Sequence, residues 1–264
     1  VTDIHPQLLN AVDDPEPLLA DDRFCIQRKH DGKRLLLHKQ GFEITGINRR
    51  GIECGFPESI RAAVAALPHN FLLDGEAVGD TFHVFDLLEV RFTDLRHVPY
   101  KVRLVELLNL LASTEQSAIQ WVATHNGKEA KRRTFDELKG DNAEGVVFKR
   151  IGAPYSPGRP NSGGDQLKYK FVETASVIVN AINAKRSVAI AVWENGTLVS
   201  AGNVTVPVNQ LIPQVGDVIE ARYLYAMEGS GSLFQPVYLG VRDDIMAAEC
   251  TRDQLKFRRE EVAA

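Results

Sequence analysis

The chain has 264 residues, with 31 Lys and Arg against 35 Asp and Glu, a formal net charge of -4. Hydrophobic residues make up 44% and charged residues 25%, which excludes a disordered or collagen-like chain. The charge total gives no sign of a nucleic-acid partner, and at roughly 100–200 residues per domain the length fits one large domain or two modest ones.

Cys25, Cys54 and Cys250 are far apart and odd in number, which argues against a disulfide scaffold or structural zinc and for a reducing, cytoplasmic setting. No apolar run approaches the ~18 residues that span a bilayer, so no membrane partner is expected.

Phe24–Lys39 reads as strand, polar turn and strand: FCIQR, KHDGKR, LLLHK, with Asp31-Gly32 marking the turn. A strand follows at Phe42–Asn48. Pro57–Leu67 reads as a helix, because Ile60, Ala63, Val64 and Leu67 recur at helical spacing. Strands are expected at Phe71–Ala77 and Thr81–Leu88. A second helix is expected at Lys101–Leu111, with Leu104, Leu107, Leu108 and Leu111 on one face. Ile119–Ala123 and Gly145–Lys149 read as strands flanking a Lys128–Leu138 helix. Its Lys128, Lys131, Arg132 and Arg133 form a solvated basic face or a phosphate contact. Trp121 and Trp193 are expected in the core. Ile151–Asp165, rich in Gly, Pro and Ser, is a loop long enough to suggest function.

After Leu167–Phe171 the texture changes. Ser176–Ala184, Val188–Trp193, Thr197–Val206, Asp217–Tyr225 and Leu233–Val241 are five β-like runs, as in a small barrel. Arg252–Val262 reads as a closing helix. The domain boundary falls near Phe171–Thr174, giving domains 1–172 and 173–264.

A lysine at a strand end before a glycine turn, Lys29, is accessible and held by the sheet, as a nucleophile must be. KHDGKR alone is also an ordinary surface turn. Further groups follow in order: Arg50-Gly51 after a strand, Asp74-Gly75-Glu76, Phe85-Asp86, Glu144-Gly145-Val146-Val147-Phe148-Lys149, and Lys168-Tyr169-Lys170, whose lysines share a strand face. No GxxxxGK[ST] loop is present, so no P-loop is expected.

This ordered set resembles the covalent nucleotidyltransferases, a superfamily of ATP-dependent DNA ligases, RNA ligases and capping enzymes. The chain looks most like a minimal two-domain ATP-dependent DNA ligase. KHDGKR looks like the first motif, RRG the second, LLDGE the third, EGVVFK the fourth and LKYK the fifth. The resemblance implies an α+β fold: an adenylation domain of antiparallel sheets with flanking helices, then an all-β OB-fold domain. It implies sealing of 5′-phosphate/3′-hydroxyl nicks in duplex DNA, through a nucleotide carried on Lys29. It implies ATP as AMP donor, and Mg²⁺, with Mn²⁺ as a substitute, on Glu76 and Glu144, carboxylates being hard ligands suited to that ion. Arg34 and Glu76 would contact the ribose, Phe85 the base, and Lys149, Lys168 and Lys170 the phosphates. Arg50 would bind the 5′-phosphate of the nick. Of the sixth motif, Arg242 matches, while Gln235 and Ile245 replace basic positions. Arg159, in the long loop, is a candidate DNA contact. A monomer is expected. The alternatives are an RNA ligase on the same scaffold, a capping-type guanylyltransferase, and a non-catalytic OB module. The charge is uneven: residues 28–50 hold seven Lys and Arg against two acids, and residues 149–170 hold five against one, so a basic face is expected.

Overall fold

The computed structural model describes residues 4–112, 118–141 and 143–257. By internal contacts the chain divides into two compact units, Val1–Tyr169 and Lys170–Ala264.

The first unit begins with β1 (Asn10–Ala11), α1 (Glu16–Ala20), β2 (Phe24–Arg28), β3 (Lys33–Gln40), β4 (Glu43–Asn48) and β5 (Glu53–Cys54). It continues with α2 (Glu58–Ala66), β6 (Phe71–Val78), β7 (Thr81–Val90), β8 (Thr93–Asp94) and α3 (Tyr100–Leu111). Then come β9 (Ile119–Trp121), β10 (Thr124–His125), α4 (Lys128–Gly140), β11 (Gly145–Arg150) and β12 (Gln166–Lys170). Two sheets result. One runs β1-β12-β11-β2-β10; the other runs β5-β4-β3-β6-β7-β8, with β9 parallel to β7.

KHDGKR is not a hairpin. β2 pairs with β10 and β11, and β3 with β4 and β6, so the segment crosses from one sheet to the other. Gly32 is required there by close approach: a Cβ on it would lie 2.3 Å from the carbonyl oxygen of Ala77 on β6.

The larger sheet is covered on both faces, which is why Phe71–Leu73 read as an unbroken apolar run. On one face Ile60, Ala63, Val64 and Leu67 pack with Leu35, Leu37, Leu73 and Phe82. On the other, Leu36, Leu72 and Leu88 pack with Ile4, Ile47 and Tyr155. α3 packs Leu104, Leu107 and Leu111 into the first of these clusters as its leucine spacing suggests, but Leu108 is exposed and Tyr100, Arg103 and Leu110 are buried as well. Arg103 takes the inner position because Asp86, itself inaccessible, accepts its Nε and Nη2 at 2.8 and 3.0 Å. Trp121, expected in the core, is 49% exposed.

The second unit holds β13 (Glu173–Ile182), β14 (Ser187–Glu194), β15 (Thr197–Thr205), β16 (Val218–Tyr223) and β17 (Val237–Arg242). They form one antiparallel sheet in the order β15-β14-β13-β16-β17, with the outer strands in contact. It curls around Val177, Val179, Ile190, Val192, Ile219 and Tyr238. Trp193 is partly buried and packs against Ile178, Val218 and Cys250. The expected closing helix is not formed where it is described. Arg252–Gln254 make a single 3-10 turn, Leu255 and Lys256 are irregular and Phe257 bridges to Ala226, while residues 258–262 lie outside the described residues.

Candidate active site

The first unit has an open pocket of about 450 Å³ where the KHDGKR crossover meets β6, β7 and β11. Its walls include Lys29, His30, Arg34, Glu76, Phe85 and Lys149, together with Leu9, Gln27, Arg28, Val147 and Gln166. Five sequence-nominated residues therefore converge, and register explains how. Arg34 on β3 faces Glu76 on β6, and Glu76 faces His83 on β7.

Lys29 ends β2. Its main-chain N–H donates to Gly145 O at 3.0 Å, and its ammonium is ion-paired with Glu144. Glu144 is buried. Burial pushes the Glu76 carboxyl up to about 7, with Arg34 and Lys29 pulling it down and Asp74 and Glu144 pushing it further up. Its carboxylate makes no hydrogen bond to any described residue.

Arg34 is locked. Nε and Nη2 donate to the Asp74 carboxylate at 2.6 and 2.7 Å, and Nη2 also reaches Gln7 O at 3.2 Å. Burial works against its charge, but Asp74 outweighs this and raises its pKa. Its guanidinium carbon lies 4.6 Å from the centre of the Phe85 ring. Lys149 lies 4.4 Å from the same ring, donates to Phe85 O at 3.0 Å, and is pulled down to about 8 by burial. Lys149 is thus anchored to the residue expected to meet the base, and both cations crowd that ring.

Lys168 is half-buried on β12, two residues from Gln166 and so on the same face of the strand. Arg50 is exposed in the turn after β4, where Gly51 adopts φ +77 and donates to Asn48 O at 2.9 Å. Arg159 is committed in part to its own unit, donating to Leu9 O at 2.7 Å. In the second unit, Lys170 donates to Gln235 Oε1 at 2.9 Å. Arg242 there is paired with Asp244 and Glu220, and its hydrogen bond to Asp244 leads in raising its pKa.

The basic run on α4 is split: Lys128 and Arg133 are exposed, while Lys131 and Arg132 are committed within the unit. Lys131 is inaccessible and donates to Leu18 O and Asp21 O, and Arg132 is ion-paired with Glu16. Lys39 likewise caps α2 through the carbonyls of Ala65 and Leu67.

His30, His83, Gln27, Gln166 and Leu9 were not nominated from the sequence. The rings of His30 and His83 stack at 3.8 Å, and burial pushes His30 down to about 3, so it is neutral. His30 adjoins Lys29 and Gln27 lies two residues before it, so both were findable by proximity. Gln166, Leu9 and His83 carry no local signal.

No group of three or more His, Cys, Asp or Glu side chains suited to a metal occurs among the described residues. Glu76 and Glu144 still fit a divalent cation. Glu76 is a half-buried carboxylate that accepts no hydrogen bond from a described residue, and Mg²⁺ is commonly held by one or two carboxylates with phosphate and water completing the shell. No helix of the described residues is long and apolar enough to cross a membrane.

Residues 80–170 match the family model described as the ATP dependent DNA ligase domain. Curated relatives include a "Probable DNA ligase" of Nocardioides sp., 27% identical over 206 residues, covering 67% of this chain and 40% of that one. Another, from Anaeromyxobacter dehalogenans, is 26% identical over 212 residues, with the same 67% and 40% coverage. This chain therefore spans about 40% of the length of those relatives. Among solved structures, the ligase domain of LigD from M. tuberculosis superposes with TM-score 0.57 at 22% identity, covering 94% of this chain and 98% of that one. A structure from a study of Lig E DNA ligases, whose title speaks of DNA binding with a minimal scaffold, gives 0.67 at 17% identity, covering 90% and 99%. The fold is the α+β architecture of these ligase domains.

Proposed function

We propose that this chain, similar through its β7–β12 region to the ATP dependent DNA ligase domain, is the catalytic core of an ATP-dependent DNA ligase. The observation that carries this is the pocket itself: a strand-end lysine paired with one acid, a second acid, an aromatic ring and two further cations converge from four separated segments. The first unit would carry adenylation and the second the OB role, with the functional boundary at residues 172 and 173.

In the first step the neutral amine of Lys29 attacks the α-phosphorus of ATP. A P–N bond forms, the P–O bond to pyrophosphate breaks, and the amine proton passes to Glu144 or solvent. AMP then moves to the 5′-phosphate at a nick in duplex DNA, breaking the P–N bond. The 3′-hydroxyl attacks that phosphate and AMP leaves. Charge accumulates on non-bridging oxygens at each step, so positioning and cationic stabilisation carry the catalysis. Arg34 and Glu76 would contact the ribose, Phe85 the base, and Lys149 and Lys168 the phosphates. Lys170 and Arg242, from the second unit, are assigned to the phosphates by motif, and Arg50 and Arg159 to DNA. Glu76 and Glu144 would hold Mg²⁺, which supplies charge neutralisation at the transferring phosphate when bound.

The test is covalent labelling of the protein with α-labelled ATP, GTP or NAD in the presence of Mg²⁺. ATP is expected to label the wild type, and Lys29→Ala to abolish the label. Labelling by GTP alone, or a persistent label in Lys29→Ala, overturns the reading.

A further inference from the structure

The long Ile151–Asp165 loop sends Tyr155 inward, to the wall behind Arg34. Tyr155 is 5% exposed, Gln7 3% and Asp74 0%. Four residues close a hydrogen-bonded ring. Arg34 donates to both Asp74 oxygens, at 2.6 and 2.7 Å. The Tyr155 hydroxyl donates to Asp74 Oδ2 at 2.7 Å and accepts the Gln7 N–H at 2.7 Å. Gln7 O in turn accepts Arg34 Nη2 at 3.2 Å. The Gln7 side chain braces the ring from outside: its Oε1 accepts Gln166 Nε2 at 3.0 Å and Ser156 N–H at 3.3 Å.

The ring uses Nε and Nη2 of Arg34, while Nη1 makes no hydrogen bond to any described residue and Arg34 lines the pocket. A guanidinium is planar, so fixing one edge fixes the direction of the remaining nitrogen. Resting on the reading of this pocket as the nucleotide site, we infer that Tyr155 is a positioning residue that, through Asp74, sets the plane of Arg34 and presents Nη1 to the nucleotide. Without the hydroxyl, Asp74 loses a donor and the Gln7 N–H loses its acceptor, both in a buried network where each partner counts. Arg34 stays charged and present but loses its fixed direction. Such a change weakens ground-state and transition-state binding alike, raising the half-saturating ATP concentration while leaving the maximal rate.

The experiment measures self-labelling rate against ATP concentration for the full chain, with Mg²⁺. Tyr155→Phe is expected to raise the half-saturating concentration about five- to tenfold, with the maximal rate within about twofold, as for loss of one buried hydrogen bond. In an Arg34→Ala background the same substitution is expected to change nothing, an outcome that general loosening of the fold would not give. Gln7→Ala is the second variant should Tyr155→Phe fail to fold, with a rise of about two- to threefold that also vanishes in the Arg34→Ala background. An unchanged half-saturating concentration in a folded variant overturns the inference, as does an effect that multiplies with Arg34→Ala. A wild type that ATP does not label sinks the nucleotide reading and this inference with it. A labelled wild type with indifferent variants sinks the inference alone.

Discussion

Lys29 and Glu144 are held to each other twice. The Lys29 ammonium is ion-paired with the Glu144 carboxylate, and the Lys29 N–H bonds the carbonyl of the next residue, Gly145, at 3.0 Å. The main-chain bond fixes the spacing of the two side chains, so the pair follows from β2–β11 register rather than from flexible reach. Only an unprotonated amine attacks phosphorus, and Glu144 is in contact to take the proton. Glu144→Gln is expected to slow labelling by about 10²–10⁴, the usual range for a lost general base, and added Mg²⁺ should not restore it. Single-turnover labelling reads this. A rate near wild type would remove Glu144 from the chemistry.

Glu76 trades stability for function. Its carboxyl sits at about 7 against an ordinary 4.5, chiefly because burial disfavours the charged form. The folded chain therefore prefers the protonated acid. That preference contributes fully below about 4.5 and is lost as pH rises through about 7. Glu76→Gln keeps the shape without the charge. It is expected to be more stable than wild type at pH 8, by up to ~3 kcal/mol, with the gap closing towards pH 4.5. The same variant should lose labelling, since the ligand proposed for the ribose and the cation is gone. Thermal melts at pH 5 and pH 8 decide it: an equal gap at both would show that the buried charge is not the cause.

The pocket was legible where its parts are local. Lys29 stands at a strand end ahead of an Asp-Gly turn, and Glu76 and Glu144 each adjoin a glycine, so short runs of sequence announce them. What closes the pocket was not legible, because it depends on pairings between distant segments. Gln7 meets Gln166, and Tyr155 meets Asp74. The split of β2 and β3 between two sheets was hidden for the same reason, since a polar Asp-Gly turn looks alike in a hairpin and a crossover. Side-chain polarity misled at two places. Trp121 looked like core but lies on a short strand at the sheet's margin, and the α4 lysine Lys131 looked solvated but caps α1.

Arg103, in the first turn of α3, is 1% exposed against an inaccessible Asp86. It also donates to the carbonyls of Val98, at 2.7 Å, and Ala153, at 3.3 Å, tying the start of the long loop to β7. Removing one partner of a buried pair leaves the other charge uncompensated, so Arg103→Ala is expected to cost about 3–5 kcal/mol. Replacing both partners by apolar residues, Arg103→Met with Asp86→Leu, should cost less than Arg103→Ala alone. Urea unfolding measures both. A single variant within about 1 kcal/mol of wild type would mean that the pair is solvated in solution.

Arg50 differs from the buried cations in being available. It is exposed, and its guanidinium makes no hydrogen bond to any described residue; the Gly51 turn behind it, at φ +77, holds its main chain outward. Much of the basic run around it is not available in this way: Arg34 is paired with Asp74, Lys39 caps α2, and Lys29 faces Glu144. Lys33, Arg49 and Arg50 are the exposed cations of residues 28–50, and each should register separately in the salt dependence of binding. Arg50→Ala is expected to weaken binding of nicked duplex DNA and to lower the slope of log affinity against log salt by about one. If the phosphate it meets is the one at the nick, wild type should prefer a 5′-phosphorylated nick over a 5′-hydroxyl nick, and Arg50→Ala should lose that preference. Titrations of both duplexes at several salt concentrations make the comparison. An unchanged slope would place Arg50 away from DNA, and a lowered slope with the preference intact would place it on a phosphate elsewhere along the duplex.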